Sequence, residues 1–285
     1  MRIGYGLPNI GPVPNPGVIA QAAQRAEELG YDSLWVIERL LYPLNPQTSY
    51  FGGPLPEVYK RNFDPLETLT FAAAHTSRIA LGTSVLDMPY YNPVMLARRL
   101  TTLDVLSGGR LRVGFGQGWS KDEHDAVGAS LSGRGRRADE FIQVLKAIWT
   151  TDPVEFSGQF FQVPRSIIQP KPVQKPHPPI YLAAYAPSAL KRAATLANGI
   201  HPVALSLDGL KQLMDSVKSM AEAAGRDPST VEVLVRANLN VTEQPLGKER
   251  QLFSGTPEEI GEDVKAMREA GVNELFLDTT FSPDS

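Results

Sequence analysis

The 285-residue sequence contains no cysteine. That excludes disulfides, thiolate metal sites and a cysteine nucleophile. Histidine is scarce, with four in the chain; His124, His177 and His201 lack a spacing that would assemble a metal site, so no metal is expected. No apolar run approaches membrane-spanning length, and the first residues, MRIGYGLPNIGP, carry neither the basic nor the long apolar region of an export signal. Neither sign of charge dominates: 28 Lys and Arg stand against 31 Asp and Glu, mixed along the chain, for a formal net charge of −3. That balance gives no footprint for nucleic acid or an anionic membrane. The expectations are a cytoplasmic protein with small-molecule partners, no nucleic acid and no membrane.

Glycine and proline are plentiful, 24 of each, and they separate short apolar runs. The most informative stretch is Ile79 to Trp119, IALGTSVLDMPYYNPVMLARRLTTLDVLSGGRLRVGFGQGW. Ile79 to Leu86 suits a strand buried on both faces. Pro93 sits where a first helical turn tolerates it, and Met95, Leu96, Leu100, Leu103 and Leu106 then recur at helical spacing. Gly108 and Gly109 stop that helix, and Leu111 to Phe115 begins another buried strand. One complete β-α-β unit is legible.

The rest of the chain repeats this alternation. Strands are predicted at Arg2–Leu7, Ser33–Ile37, Ile180–Ala184, Gly199–Val203, Val231–Val241 and Asn273–Thr279, with helices between them. Asp64 and Thr256 are expected helix caps. Val154 to Val163 reads as a small hairpin outside the main sheet. Arg39 to Arg61 and Gly116 to Arg136 are long loops, a length usually associated with function or mobility. Eight strands joined by helices imply a parallel sheet with right-handed crossovers, and the length suits one (β/α)8 TIM barrel spanning residues 1–285 as a single domain. Only Thr280 to Ser285 follows the eighth strand, too short for the usual closing helix, so the last helix is expected to be missing or very short.

Four phrases in order, GYDSLWV at Gly30 to Val36, the Gly82 to Trp119 stretch, QPKPVQKPHPPIYLAA at Gln169 to Ala184 and GTPEEIGEDVKAMREAGVNELFLD at Gly255 to Asp278, resemble the luciferase-like monooxygenase superfamily. The likeness covers nearly the whole chain and is closest to its coenzyme F420-dependent oxidoreductase branch. It implies a TIM barrel, a deazaflavin cofactor and hydride transfer to or from a small organic substrate. One alternative is an FMN-dependent monooxygenase, in which reduced flavin reacts with oxygen; another is a barrel that binds flavin or deazaflavin without turnover. The resemblance also implies a homodimer, and a partner subunit is one way to cover the position of the absent helix.

In a TIM barrel the active site lies at the C-terminal ends of the strands. By resemblance, Ser84-Val85 forms a cis peptide that bulges the third strand under the cofactor. Gln117 and Gly118, with Ala184, Tyr185 and Ser188, are the expected places for the ring edge, ribityl chain and phosphate, although relatives carry glycines where Ala183 and Ala184 stand. Lys191 and Arg192 are candidates for an anionic cofactor tail. Glu38 is expected at the cofactor's heterocycle. Sugar-phosphate dehydrogenases of the family use a His after strand two and a Glu after strand four as an acid/base pair; the matching positions here are Arg39 and Trp119. Arginine is a poor general base, so Arg39 is expected to hold an anionic substrate or polarise a carbonyl. Glu38, Arg39 and Trp119 are the catalytic candidates. Tyr42, Tyr50, Phe51, Tyr90 and Tyr91 supply aromatic walls, and the Arg39 to Arg61 loop is the candidate lid.

Overall fold

The computed structural model describes residues 1–203, 206–247 and 249–282. Eight parallel strands close into a barrel: β1 (Arg2–Gly6), β2 (Ser33–Val36), β3 (Ala80–Thr83, resuming at Leu86–Asp87), β4 (Leu111–Gly116), β5 (Ile180–Leu182), β6 (Gly199–Ile200), β7 (Glu232–Asn238) and β8 (Glu274–Asp278). Neighbours pair in chain order, and β8 pairs β1 with Glu274 opposite Arg2, which closes the ring. The helices are α1 (Pro16–Glu28), α2 (Pro65–His75), α3 (Pro93–Leu106), α4 (Lys121–Ala126), α5 (Arg134–Thr150), α6 (Pro187–Leu196), α7 (Leu207–Ala223) and α8 (Pro257–Glu269). No helix follows β8 among the described residues, and 283–285 of the expected short tail lie outside them.

The caps follow from side-chain chemistry. Asn15, Asp64, Asn92 and Thr256 each accept a backbone N–H of the following turn, and a proline stands in the first turn after each. Thr256 and Glu259 complete a reciprocal capping box. Three expectations need correction. The Gly116 to Arg136 loop contains α4, capped by Ser120. The strand expected to run to Val241 ends at Asn238; Asn240–Val241 turns away and pairs with Ser254–Gly255. The helix expected from Arg137 starts at Arg134, because Gly133 takes a left-handed conformation at its N-cap. The hairpin is present, Val154–Ser157 against Gln162–Ser166.

Alternation along the strands stacks the barrel interior in layers. At the bottom, Glu274 accepts from Arg2 Nε at 2.8 Å, Ser33 Oγ at 2.5 Å and Trp35 Nε1 at 3.0 Å, and it also pairs with Arg112. Burial opposes its charge, but Arg112, Ser33 and Arg2 outweigh that and hold its carboxyl below the ordinary value. Glu232 joins through Arg2 at 2.6 Å and the Tyr181 hydroxyl at 2.5 Å. Above lies an apolar layer of Trp35, Tyr181, Leu234 and Phe276. Gly82 makes it possible: a Cβ there would stand 2.3 Å from Trp35 Cε3. The outer faces of the strands pack against the helices in one continuous core.

Candidate functional site

The next interior layer up, at the C-terminal strand ends, is polar. His201, just after β6, stacks on Trp35 with ring centroids 4.9 Å apart, and its Nδ1 lies 3.0 Å from the Leu234 carbonyl. That partner assigns the proton to Nδ1 and leaves Nε2 a buried acceptor with no donor. Burial holds the ring neutral, its pKa lowered to about 4. On β7 the inward alternation passes from Leu234 to Arg236 to Asn238. Arg236 Nη2 stands 2.6 Å from Asp278 Oδ2 at the end of β8, and Asp278 Oδ1 accepts from Thr280 N at 2.9 Å.

A second cluster is built from the loops after β2, β3 and β4. Arg39, whose side chain is 4% exposed, lies 2.9 Å from the buried Glu123 on α4. Glu123 also accepts from Leu40 N at 2.8 Å and the Tyr90 hydroxyl at 3.1 Å, so one carboxylate holds the arginine and the start of the long loop. The Arg39 guanidinium carbon is 4.7 Å from the Trp119 ring centre and 5.1 Å from that of Tyr59. Next to it, Glu38 accepts from Asp87 N at 2.7 Å and from the Tyr91 hydroxyl. Burial, and then the charge of Asp87, push the Glu38 carboxyl up to about 8. Burial raises Asp87 to about 6 while it accepts from Gly118 N at 2.7 Å.

The Arg39 to Arg61 loop crosses the barrel mouth rather than hanging free of it. Leu55 and Tyr59 are buried with Ile10 and Ile37, and Tyr42, Tyr50, Trp119 and Phe281 pack around them. Several polar atoms beneath this cover lack a hydrogen-bond partner: Arg39 Nε, His201 Nε2, Arg236 Nε and Asn238 Oδ1 among them. A buried polar atom without a partner costs about 1–3 kcal/mol. Their convergence at one mouth fits a polar-edged ligand.

The sequence candidates fall in two places. Glu38, Arg39, Trp119 and Gly118 share the clusters just described. Ser84 and Val85 interrupt β3 beside them, and the peptide between them is cis, as the resemblance implied. Ala184, Tyr185 and Ser188 lie across the barrel at the start of α6. Ala184 is buried and Ser188 exposed, while the Tyr185 hydroxyl accepts from Val203 N at 2.8 Å. Gln117 stands between the groups, its carbonyl 3.1 Å from His124 Nε2. The gap lined by Gln117 and Ala184 is only about 10 Å³. Arg192 does not reach outward for an anionic tail: it donates to Asp139 at 2.5 Å and to the Gly135 carbonyl at 2.8 Å on α5. Lys191 is exposed. Among the described residues, no group of three or more acidic or histidine side chains is arranged to hold a metal, and no helix is long and apolar enough to cross a membrane.

Sequence reading missed Tyr59, Asp87, Glu123, Arg236 and Phe281. Arg236 had a usable signal, a charge in the middle of the apolar strand VEVLVRANL at the register of Glu232, Leu234 and Asn238. Glu123 had none, since its partner Arg39 lies 84 positions earlier.

Comparisons agree with this geometry. The family model for luciferase-like monooxygenases matches residues 6–246. An uncharacterized protein of Mycobacterium tuberculosis is 32% identical over 265 residues, covering 87% of this chain and 90% of that protein. The F420-dependent glucose-6-phosphate dehydrogenase of Amycolatopsis mediterranei is 30% identical over 233 residues, covering 79% and 65%. The FMNH2-dependent dimethylsulfone monooxygenase of Pseudomonas putida is 33% identical over 155 residues, covering 53% and 42%. In fold, the chain superposes on an F420-dependent secondary alcohol dehydrogenase with a TM-score of 0.82 at 22% identity, covering 99% of this chain and 94% of that one.

Proposed function

We propose, from the premise that this chain belongs to the luciferase-like monooxygenase family, that it is an oxidoreductase using coenzyme F420 to exchange hydride with a small organic substrate. The observation that carries the reading is the covered mouth of the barrel, where aromatic walls surround converging polar atoms without partners. Such a site excludes water and offers fixed donors and acceptors to the edges of a planar heterocycle. The F420-dependent relative, which matches 79% of the chain, supports the deazaflavin reading.

When bound, the deazaflavin supplies the hydride chemistry. Glu38, Gly118, Gln117 and the Ser84-Val85 backbone would hold its ring system, and the start of α6 from Ala184 to Ser188 its phosphate. A guanidinium is a poor general base, so the part of Arg39 is to orient an electron-rich group. Glu38, with its carboxyl near neutrality, is able to carry a proton at one oxygen while the other accepts from Asp87 N. Trp119 and Tyr59 close the site over these groups. A second reading, an FMN-dependent monooxygenase, draws on the dimethylsulfone monooxygenase likeness.

Fluorescence titration of the purified chain with F420 and FMN under matched conditions separates the two. We expect tight F420 binding and weak FMN binding. The reverse preference favours the monooxygenase, and binding of neither sinks the cofactor reading.

A further inference from the structure

We propose that Arg39 and Arg236 form a carboxylate clamp, and that the substrate is a small, planar, conjugated monocarboxylate. This rests on the oxidoreductase reading and narrows its substrate class. The two guanidiniums come from separate strands of the barrel, one from just after β2 and one from the interior of β7, with β1 and β8 between them. Both are buried, with side chains 4% and 8% exposed. Each has a carboxylate beside it, Glu123 at 2.9 Å and Asp278 at 2.6 Å, yet in both residues Nε and Nη2 make no well-directed hydrogen bond. A guanidinium carries five N–H donors in a rigid fork that matches a carboxylate. Burying Nε without an acceptor, and Nη2 with only a poorly directed one, is unfavourable, and a forked acceptor entering between the two groups would remove the penalty.

The same two groups face one side chain. Tyr59, carried by the covering loop, lies against Arg39 and within electrostatic reach of Arg236, both of which lower its pKa against the larger raising effect of burial. The Arg236 guanidinium carbon is 5.7 Å from the Phe281 ring centre, and Tyr59 and Phe281 meet at 5.8 Å. Tyr50 extends the wall to Trp119 at 5.5 Å. The Tyr59 ring thus marks the space a flat acid would take, with aromatic faces around it, Arg39 over its face and its hydroxyl 3.3 Å from that of Tyr50. A cavity of about 720 Å³ lined by Tyr50, Val203, Asn238 and Phe281 opens beside it and gives a path of entry.

Charge count selects the valence of the ligand. Two arginines are balanced by Glu123 and Asp278, so the clamp is near neutral, and Asp87 and Glu38 lie close by. Such a site tolerates one added negative charge better than the two of a phosphate monoester. A monocarboxylate on a conjugated body satisfies the donors and stacks on the walls.

The test is isothermal titration calorimetry of the full chain with trans-cinnamate and, separately, with the neutral trans-cinnamamide. Cinnamate should bind about tenfold more tightly or better, and Arg236→Lys and Arg39→Lys should each erase most of that advantage, because lysine keeps the charge but loses the fork. Thermal unfolding of each variant confirms that it is folded; should Arg236→Lys fail to fold, Arg39→Lys alone decides. Equal affinity for acid and amide, binding of neither, or a preference for the acid that survives the lysine substitutions would overturn the proposal. F420 titrations of the same proteins keep the two readings apart. Cofactor binding without cinnamate binding removes the clamp and leaves the oxidoreductase reading. Loss of F420 rather than cinnamate affinity in Arg236→Lys assigns the arginine to the cofactor and overturns the clamp. Cinnamate selectivity without binding of either cofactor supports the clamp and removes the cofactor reading.

Discussion

The two ends of the barrel interior are built from the same residue types and differ in how completely they are satisfied. At the N-terminal end, Glu274 takes donors from Arg2, Ser33, Trp35 and Arg112, and Glu232 takes donors from Arg2 and Tyr181. At the C-terminal end, Arg39, Arg236, His201 and Asn238 each keep a buried atom without a partner. A polar network closed on itself fixes the fold; one left open has capacity for something else. The apolar layer of Trp35, Tyr181, Leu234 and Phe276 insulates one from the other.

The largest effect should come from breaking the closed end. Glu274→Ala leaves Arg2 and Arg112 facing each other without their shared carboxylate, and should cost about 3–5 kcal/mol in urea unfolding. Arg39→Lys at the open end retains a cation beside Glu123 and removes Nε, a donor without an acceptor, so it should cost no more than about 1 kcal/mol. Similar losses at the two ends would erase the distinction between them.

A smaller effect probes the layer between. Gly82→Ala puts a methyl group 2.3 Å from Trp35 Cε3, and the ring has little room because it stacks on Phe276 at 5.4 Å and His201 at 4.9 Å. Overpacking of this kind should cost about 1–3 kcal/mol in thermal unfolding. Because His201 is pressed by the same ring, the substitution should also weaken binding at the mouth; unchanged F420 affinity would show that the layer insulates the ends mechanically as well as electrically.

The barrel itself was largely legible in the sequence, whereas the polar network of the closed end was not and the open end was legible only in part. Strand order followed from apolar runs and helix caps, because both are local. The interior phase of a strand buried on both faces is not marked by polarity, so only a residue such as Arg236 reveals which side points inward. Glu38, Arg39 and Trp119, which the structure places at the mouth, were singled out because strand ends and family phrases mark them. Tyr59 and Glu123 were not, since their roles come from the long loop folding back across the mouth and from contacts between distant segments. The six-residue α4 escaped notice for a related reason: KDEHDA has no apolar stripe, and it is held by the Ser120 cap and by the bonds Glu123 and His124 make elsewhere.

The smallest predicted effect tests whether the unsatisfied character of the open end extends to its proton balance. Glu38 titrates in the folded chain near 8, well above an unfolded glutamate's ordinary 4.5. Between these values the folded state holds the proton that the unfolded state has lost. The contribution is therefore fully present below about 4.5 and is lost as pH rises through about 8. Glu38→Gln copies the protonated form, since the amide nitrogen is able to donate to the Tyr91 hydroxyl while its oxygen accepts from Asp87 N. As an order of magnitude, the effect at high pH should be at least about 1 kcal/mol, or a Tm difference of about 2–4 °C. The variant and the parent chain should melt together at pH 5, and the variant should melt higher at pH 9. A constant offset across that range would mean that Glu38 stays ionised throughout, which would assign the two bonds from Asp87 and Tyr91 to a carboxylate satisfied in the manner of Glu274 and move that corner of the mouth to the closed side of the comparison.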